Sequence, residues 1–116
     1  SIPTPEVHGA QEGDLLVVGW GSTLGIITQA GEVFDSKNLA VGRMHLTHMW
    51  PLPHGLEDIF GRYKSILVPE VNMGQLARVL RSEYPQHNFI SYPKVEGQPF
   101  LTSEIVAKVE GLLRSN

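Results

Sequence analysis

The feature that most constrains the fold is a regular alternation of short apolar runs with amphipathic stretches along the chain. A short apolar run between turn-forming residues is typical of a strand that is buried on both faces. Proline cannot donate a hydrogen bond to a neighbouring strand, so Pro51, Pro53 and Pro69 are predicted to end two of the strands. The predicted strands are residues 15–18, residues 41–49, residues 65–68 and a short one at Phe89 and Ile90.

Each predicted strand is followed by a stretch whose apolar residues recur at helical spacing. One of these helices carries Leu56, Ile59, Phe60 and Tyr63 on a single side. The other predicted helices cover residues 22–34, residues 73–84 and residues 105–113, the last with Thr102 as its N-cap.

The order of these elements predicts the fold class. Strands that are separated by helices need crossover connections, which place the strands parallel and the helices on both faces. We therefore predict a three-layer α/β/α domain with a mostly parallel sheet of four or five strands. Residues 1–13 are polar and contain prolines, so we interpret them as a leader or linker, and residues 14–116 as a single domain of a larger chain.

The composition is that of a globular protein, with 41% hydrophobic and 18% charged residues among 116. The net charge of −3 and the scattered Lys and Arg residues argue against a nucleic-acid partner. The chain has no cysteine, which excludes disulfides, thiolate nucleophiles and cysteine-ligated iron–sulfur clusters within it. No apolar run is long enough to span a membrane, so we expect no membrane partner and a cytoplasmic location.

The first candidate site is a glycine-rich corner between the first strand and the first helix, at residues 19–25. A glycine turn lets the backbone approach a ligand, and the N-terminus of a helix favours an anion. Gly21, Ser22 and Thr23 are therefore candidates for binding a cofactor. However, Leu24 stands where the dinucleotide-binding fingerprint requires a third glycine, and no Walker lysine follows. A tight turn with Ser22 or Thr23 as the N-cap stays the alternative.

The second candidate site follows the third strand, at residues 69–76. Asn72 and Gln75 match a capping box, which would explain both residues without any chemistry. Capping explains neither Glu70 nor Gly74. A glycine in the first turn of the predicted helix suggests close approach by another surface. The candidates for that surface are a neighbouring helix, a ligand and a second subunit, and a general base or a ligand anchor stays an alternative role for Glu70. We predict a subunit or domain interface at Glu70, Asn72, Met73, Gly74 and Gln75.

The histidines and serines indicate no reaction centre and no metal site. His45 and His48 are three residues apart in a predicted strand, so their side chains should point to opposite faces and cannot share a metal ion. His8, His54 and His87 fall in predicted loops. No serine stands in a nucleophile elbow, and no set of nucleophile, base and acid is apparent.

Several segments resemble one protein family in the same order along the chain. They are Gly-Trp-Gly-Ser-Thr at 19–23, Trp-Pro-Leu-Pro at 50–53, Val-Pro-Glu-Val-Asn-Met-Gly-Gln-Leu at 68–76 and Val-Glu-Gly-Gln-Pro-Phe at 95–100. The pattern is similar to the C-terminal end of the alpha subunit of 2-oxoacid:ferredoxin oxidoreductases, the 2-oxoglutarate type most of all. The resemblance covers residues 14–114 and implies a fold like the C-terminal domain of transketolase.

The resemblance implies a role within a larger enzyme. Members of the family convert a 2-oxoacid to an acyl-CoA and CO₂ with thiamine diphosphate and Mg²⁺, and they use coenzyme A and ferredoxin as acceptors. It implies that thiamine diphosphate and the iron–sulfur cluster are held elsewhere in the complex. The domain would then dock against the remaining alpha-subunit domain and the beta subunit, with no activity alone. Leu24, Gly25, Gly31 and Trp50 depart from the family pattern, which leaves the 2-oxoacid open.

Two functions of other classes stay open at this point. An independent module that binds a phosphate-bearing small molecule, such as coenzyme A, would use the corner at Gly21, Ser22 and Thr23. An independent enzyme would require a set of catalytic residues within the chain, and the sequence indicates none.

Overall fold

The computed structural model describes residues 2–71, 74–94 and 98–115. In chain order its elements are β1 (His8–Gly9), β2 (Gly13–Trp20), α1 (Leu24–Ser36), β3 (Gly42–Leu46), α2 (Leu56–Phe60), β4 (Tyr63–Glu70), α3 (Gln75–Glu83), β5 (Phe89–Pro93) and α4 (Thr102–Ser115). The strands form one sheet in the order β1-β3-β2-β4-β5. Strands β2 to β5 are parallel, and β1 runs antiparallel to its neighbour β3.

The predicted three-layer α/β/α fold with a mostly parallel sheet is confirmed. Helices α1 and α4 pack on one face of the sheet, over a core that includes Leu15 and Val17. Helices α2 and α3 pack on the other face, over a core that includes Leu16 and Val18. All four side chains are fully buried. Because successive residues from Leu15 to Val18 feed opposite cores, this part of β2 has no polar position, which is why it reads as a continuous apolar run.

Strand β1 is the element that sequence patterns did not predict. It lies within residues 1–13, and its two residues pair with Arg43 and Gly42 of β3. The Tyr63 hydroxyl donates a hydrogen bond of 2.7 Å to the Ala10 carbonyl and so fastens the turn that follows. A two-residue strand that contains glycine carries no apolar periodicity, so no local pattern predicts it. The segment that precedes β2 thus forms one edge of the sheet.

Two predicted strand ends were wrong. Strand β3 stops at Leu46 and not at residue 49, so His48 lies outside the strand and the predicted opposition of His45 and His48 does not apply. Pro69 does not end β4, which continues to Glu70. Strand β4 pairs with β2 only as far as Leu67. At Pro69 there is therefore no β2 residue to which a backbone N–H would donate, and proline breaks no hydrogen bond to that strand.

The start of α4 also differs from the prediction. Thr102 is the first helical residue and not the N-cap, and its hydroxyl donates a 2.7 Å hydrogen bond to Gln29 Oε1 of α1. The first turn is capped instead by Glu104, whose Oε1 accepts a 2.7 Å hydrogen bond from the Leu101 N–H. The other carboxylate oxygen pairs with Lys94. The hydrogen bond from Lys94, with that from Leu101, lowers the pKa of Glu104.

The pH dependence of stability should show the contribution of Glu104. Because its pKa in the folded protein lies below the ordinary value of 4.5, the carboxylate stabilises the fold above that pH. This stabilisation is lost as the pH falls through the lower, folded value. We expect Glu104→Gln to lower the free energy of unfolding at neutral pH, with the gap to the wild type closing at acidic pH. Urea unfolding across this range measures the gap, and Glu32→Gln on the exposed side of α1 is the control. A gap that does not change with pH would contradict the assignment.

Candidate functional site

The carboxyl ends of the four parallel strands meet at one edge of the sheet. We call this the carboxyl edge, and it comprises the segments that follow Trp20, Leu46, Glu70 and Pro93. Strands β2 and β4 are neighbours, yet the chain leaves β2 for α1 on one face and leaves β4 for α3 on the other. In open α/β sheets, the crevice at such a reversal is where ligands bind. Both corners that the sequence singled out lie beside it.

The first corner is closed by the side chain of Thr23. Its hydroxyl accepts a 3.0 Å hydrogen bond from the Trp20 N–H and donates a 3.1 Å bond to the Trp20 carbonyl. Residues Gly21–Thr23 form a 3₁₀ turn, so α1 begins at Leu24, two residues later than predicted. Thr23 is only 3% exposed, whereas Gly21 and Ser22 are exposed. Of the three predicted cofactor-binding residues, Thr23 therefore builds the turn, and the other two are accessible.

The second corner is closed by Glu70. Its carboxylate accepts hydrogen bonds from the backbone N–H groups of Leu76, at 2.8 Å, and Ala77, at 3.0 Å. These donors lie in the first turn of α3, where N–H groups have no partner within the helix and where the helix dipole favours a negative charge. Glu70 is 3% exposed. It thus caps α3 from the end of a strand, a role that sequence reasoning missed because capping side chains usually stand directly beside the helix.

Of the remaining described residues of the second corner, one builds the turn and one is accessible, as in the first corner. Gly74 is the N-cap of α3 with φ of 78°, a backbone conformation that favours glycine, so it precedes the first turn in which it was predicted. The surface that approaches it is Ser91 of β5, whose Oγ would lie 3.1 Å from a Cβ at position 74. Gln75 is exposed. Asn72 and Met73, and with Asn72 the predicted capping box, lie outside the described residues.

Exposed apolar side chains accompany the two corners. In the part of the chain that the structure describes, the large hydrophobic residues with exposed side chains are Leu24 at 51%, Trp50 at 64% and Leu101 at 59%. Each lies in a segment that follows the carboxyl end of a strand: β2, β3 and β5 respectively. The carboxyl edge therefore combines closed corners with accessible apolar side chains.

The contacts of His87 give it a structural role. His87 pairs with Glu57, and its ring packs edge-on against Phe60 and Phe89. Within residues 2–71, 74–94 and 98–115, no three or more His, Asp or Glu side chains are grouped so that they could hold a metal ion.

Over the same residues, no helix is both long enough and apolar enough to cross a membrane.

Comparison with known proteins identifies related sequences. No family model matches the chain. The 2-oxoglutarate oxidoreductase subunit KorA of Mycobacterium tuberculosis is 38% identical over 105 residues, which cover 90% of this chain and 16% of that protein. Subunit alpha of 2-oxoacid:ferredoxin oxidoreductase 2 from Aeropyrum pernix is 29% identical over 119 residues, which cover 98% of this chain and 18% of that protein. The chain thus spans less than a fifth of the length of these relatives.

Solved structures give the same result. A 2-oxoglutarate:ferredoxin oxidoreductase from Magnetococcus marinus, with 2-oxoglutarate, coenzyme A and succinyl-CoA bound, superposes with a TM-score of 0.89 at 31% identity, over 97% of this chain and 20% of that one. A split-gene transketolase, an inactive β4 tetramer, superposes with a TM-score of 0.66 at 18% identity, over 94% of this chain and 41% of that one, which shows the fold alone. The resemblance seen in the sequence is confirmed. The chain is therefore homologous to one domain of the alpha subunits of 2-oxoacid:ferredoxin oxidoreductases.

Proposed function

We propose that the chain is a domain of the alpha subunit of a 2-oxoglutarate:ferredoxin oxidoreductase. In this role it supports the thiamine-dependent conversion of the 2-oxoacid to an acyl-CoA by docking to the catalytic domains. The observation that carries the proposal is the close superposition of nearly the whole chain on the Magnetococcus marinus enzyme. That enzyme is described with 2-oxoglutarate, coenzyme A and succinyl-CoA bound, which supports 2-oxoglutarate as the substrate of the whole protein.

The proposed domain contributes binding surface and leaves the chemistry to other parts. The chain has no cysteine to ligate an iron–sulfur cluster. In the proposal, that cluster, thiamine diphosphate and Mg²⁺ belong to the beta subunit or to the remaining alpha-subunit domain, and the complex uses ferredoxin and coenzyme A. Residues 14–116 would form the C-terminal domain, with residues 1–13 leading into it and β1 fastened to its sheet edge. The cytoplasmic location stays a prediction.

Docking through the carboxyl edge is the part of the proposal that the side chains support. Trp50, Leu24 and Leu101 are more than half exposed there. Gln75 and the exposed residues of the first corner supply polar groups at the same edge. Aromatic side chains, tryptophan among them, are enriched in interfaces between proteins. We therefore place the predicted contact with the rest of the enzyme at this edge.

Reconstitution tests the proposed function. The chain is expressed with the remaining alpha-subunit domain and the beta subunit of the same organism, and reduction of ferredoxin by 2-oxoglutarate is measured. We expect the chain to co-purify with both and to be required for activity, while the purified chain alone converts no 2-oxoacid. Separate elution of the chain, or turnover by the chain alone, would refute the proposal.

Replacing Trp50 by serine should weaken docking without unfolding the domain. The side chain is 64% exposed, so its removal should change the free energy of unfolding by less than about 0.5 kcal/mol. If the indole is buried at the interface, its loss should weaken association about tenfold. Calorimetric titration of the remaining alpha-subunit domain with the chain measures the dissociation constant. Arg78→Ser, on the exposed side of α3, is the control, and equal dissociation constants for the two variants would exclude Trp50 from the interface.

An independent module for phosphate-bearing ligands finds less support. Both hydrogen-bonding functions of the Thr23 hydroxyl are used by Trp20 within the turn. The accessible part of the corner is then Gly21 and Ser22, which offers few groups for a phosphate. Titration of the chain with coenzyme A separates the two functions, because micromolar binding that depends on Ser22 would favour the module.

A further inference from the structure

A cavity of about 400 Å³ lies beside strand β3, next to the first corner. Its walls are the N-terminal segment at residues 3–8, the first half of α1 and the exposed side of β3. Arg43 and His45 line it, and they alternate along β3 with the buried side chains of Met44 and Leu46. The two polar residues therefore share one face of the strand. The volume falls within the range of small-molecule sites, roughly 300–1,000 Å³.

Both residues hold a nitrogen atom that is buried without a hydrogen-bond partner among the described residues. These atoms are Arg43 Nη1 and His45 Nδ1. The guanidinium packs against the backbone of α1 at Gly31, where an added Cβ would lie 2.4 Å from the Arg43 Cζ. No carboxylate of the described residues forms an ion pair with Arg43. The two buried nitrogen atoms face the packed interior and not the cavity. Arg43 as a whole is only partly buried and lines the cavity, so it places there a cation without a counter-ion from the described residues, and an anion in the cavity would supply one.

The titratable groups that line the cavity are Arg43, Glu6, His8 and His45. The Glu6 carboxylate is the second charged group, and because its side chain is 81% exposed, solvent screens its charge more than that of Arg43. The Glu6 Oε1 atom lies 3.9 Å from the His8 Nδ1 atom. Burial lowers the pKa of His45, so its imidazole is neutral at neutral pH. The hydroxyl of Thr28 on α1 adds a neutral polar group to the same wall.

We propose that this cavity binds a small organic anion. Its carboxylate or phosphate group would accept hydrogen bonds from Arg43, and its carbon skeleton would lie against Leu24 and Ile27. Arginine suits this role because its planar fork of donors matches both kinds of oxyanion. Apolar walls with a few convergent polar groups are typical of small-molecule sites. The inference concerns the chain itself and does not depend on docking to other subunits.

Calorimetric titration of the 116-residue chain with butyrate and with butyl phosphate, at constant ionic strength, tests the proposal. We expect saturable binding of one of them at a single site, weakened at least about tenfold in Arg43→Met. Methionine is unbranched and retains much of the packing on Gly31. Arg78→Met makes the same chemical change on the exposed side of α3 and should leave the affinity unchanged. The amide resonances of Thr28 and His45 should shift on binding.

The two ligands share a carbon chain, so they separate the two kinds of head group. Tighter binding of butyrate would assign a carboxylate, and tighter binding of butyl phosphate a phosphate ester. If Arg43→Met does not fold, Arg43→Lys provides the test, because it keeps the charge but loses the fork and should still weaken binding several-fold. Absence of saturable binding, or equal weakening in the Arg43 and Arg78 variants, would overturn the proposal. A carboxylate of another domain that fills the cavity only in the assembled enzyme would overturn it as well.

Discussion

Replacing Glu70 by alanine should destabilise the domain by about 2–4 kcal/mol. The carboxylate is 3% exposed and accepts hydrogen bonds from the N–H groups of Leu76 and Ala77 at 2.8 and 3.0 Å. Its removal leaves both donors buried without an acceptor, and each such donor is unfavourable by about 1–3 kcal/mol. It also leaves a void between the end of β4 and the start of α3. Urea unfolding followed by circular dichroism measures the loss.

Two further variants separate capping from docking at this position. Glu70→Gln keeps one acceptor oxygen and nearly the same volume, so it should lose about half as much stability as Glu70→Ala. Glu83→Gln, at the exposed end of α3, should stay within about 0.5 kcal/mol of the wild type. If Glu70→Ala kept its stability while association with the rest of the alpha subunit weakened, Glu70 would be the interface residue that the sequence predicted, and the capping explanation would fail.

The order of strands and helices could be predicted because it is encoded in local apolar patterns. Residues 15–18 feed two cores in alternation, and this requires a strand that is covered on both faces. The amphipathic stripe of Leu56, Ile59 and Phe60 likewise identifies α2, where all three side chains are buried, although Tyr63, predicted on the same stripe, is the first residue of β4. In both cases the period of the pattern is set by the geometry of the element itself. No contact between distant segments is needed to predict either one.

The contacts that close the candidate sites could not be predicted because they join distant segments. Glu70 reaches across the turn after β4 to the backbone of α3, and no local signal marks a strand residue as a helix cap. Strand β1 exists because the edge of β3 accepts it at His8 and Gly9. His45 could be predicted only as a surface or packing histidine, because the cavity that it lines forms when α1 and the N-terminal segment come together.

Replacing Gly42 by alanine should destabilise the domain by about 3 kcal/mol. Gly42 pairs with Leu16 of β2 on one side and with Gly9 of β1 on the other. An added Cβ would lie 2.5 Å from the Ala10 carbonyl oxygen and 2.6 Å from the Tyr63 hydroxyl oxygen. These two oxygen atoms are themselves joined by the 2.7 Å hydrogen bond that fastens the turn before β2. The methyl group would therefore enter space that the hydrogen bond occupies, and a backbone oxygen cannot yield without moving β1.

Gly25→Ala is the matched control, because a Cβ at position 25 meets no atom within 4 Å. This variant adds the same methyl group in the first turn of α1 and should keep or slightly raise the stability. Hydrogen exchange locates the damage in Gly42→Ala, where the amides of β1 and its following turn should lose protection first. The N-terminal wall of the cavity depends on the same edge, so binding of the small anion should weaken in this variant too. Unchanged stability and unchanged protection of β1 would show that the edge of the sheet adapts to the methyl group, and that β1 is held by contacts other than the close approach at Gly42.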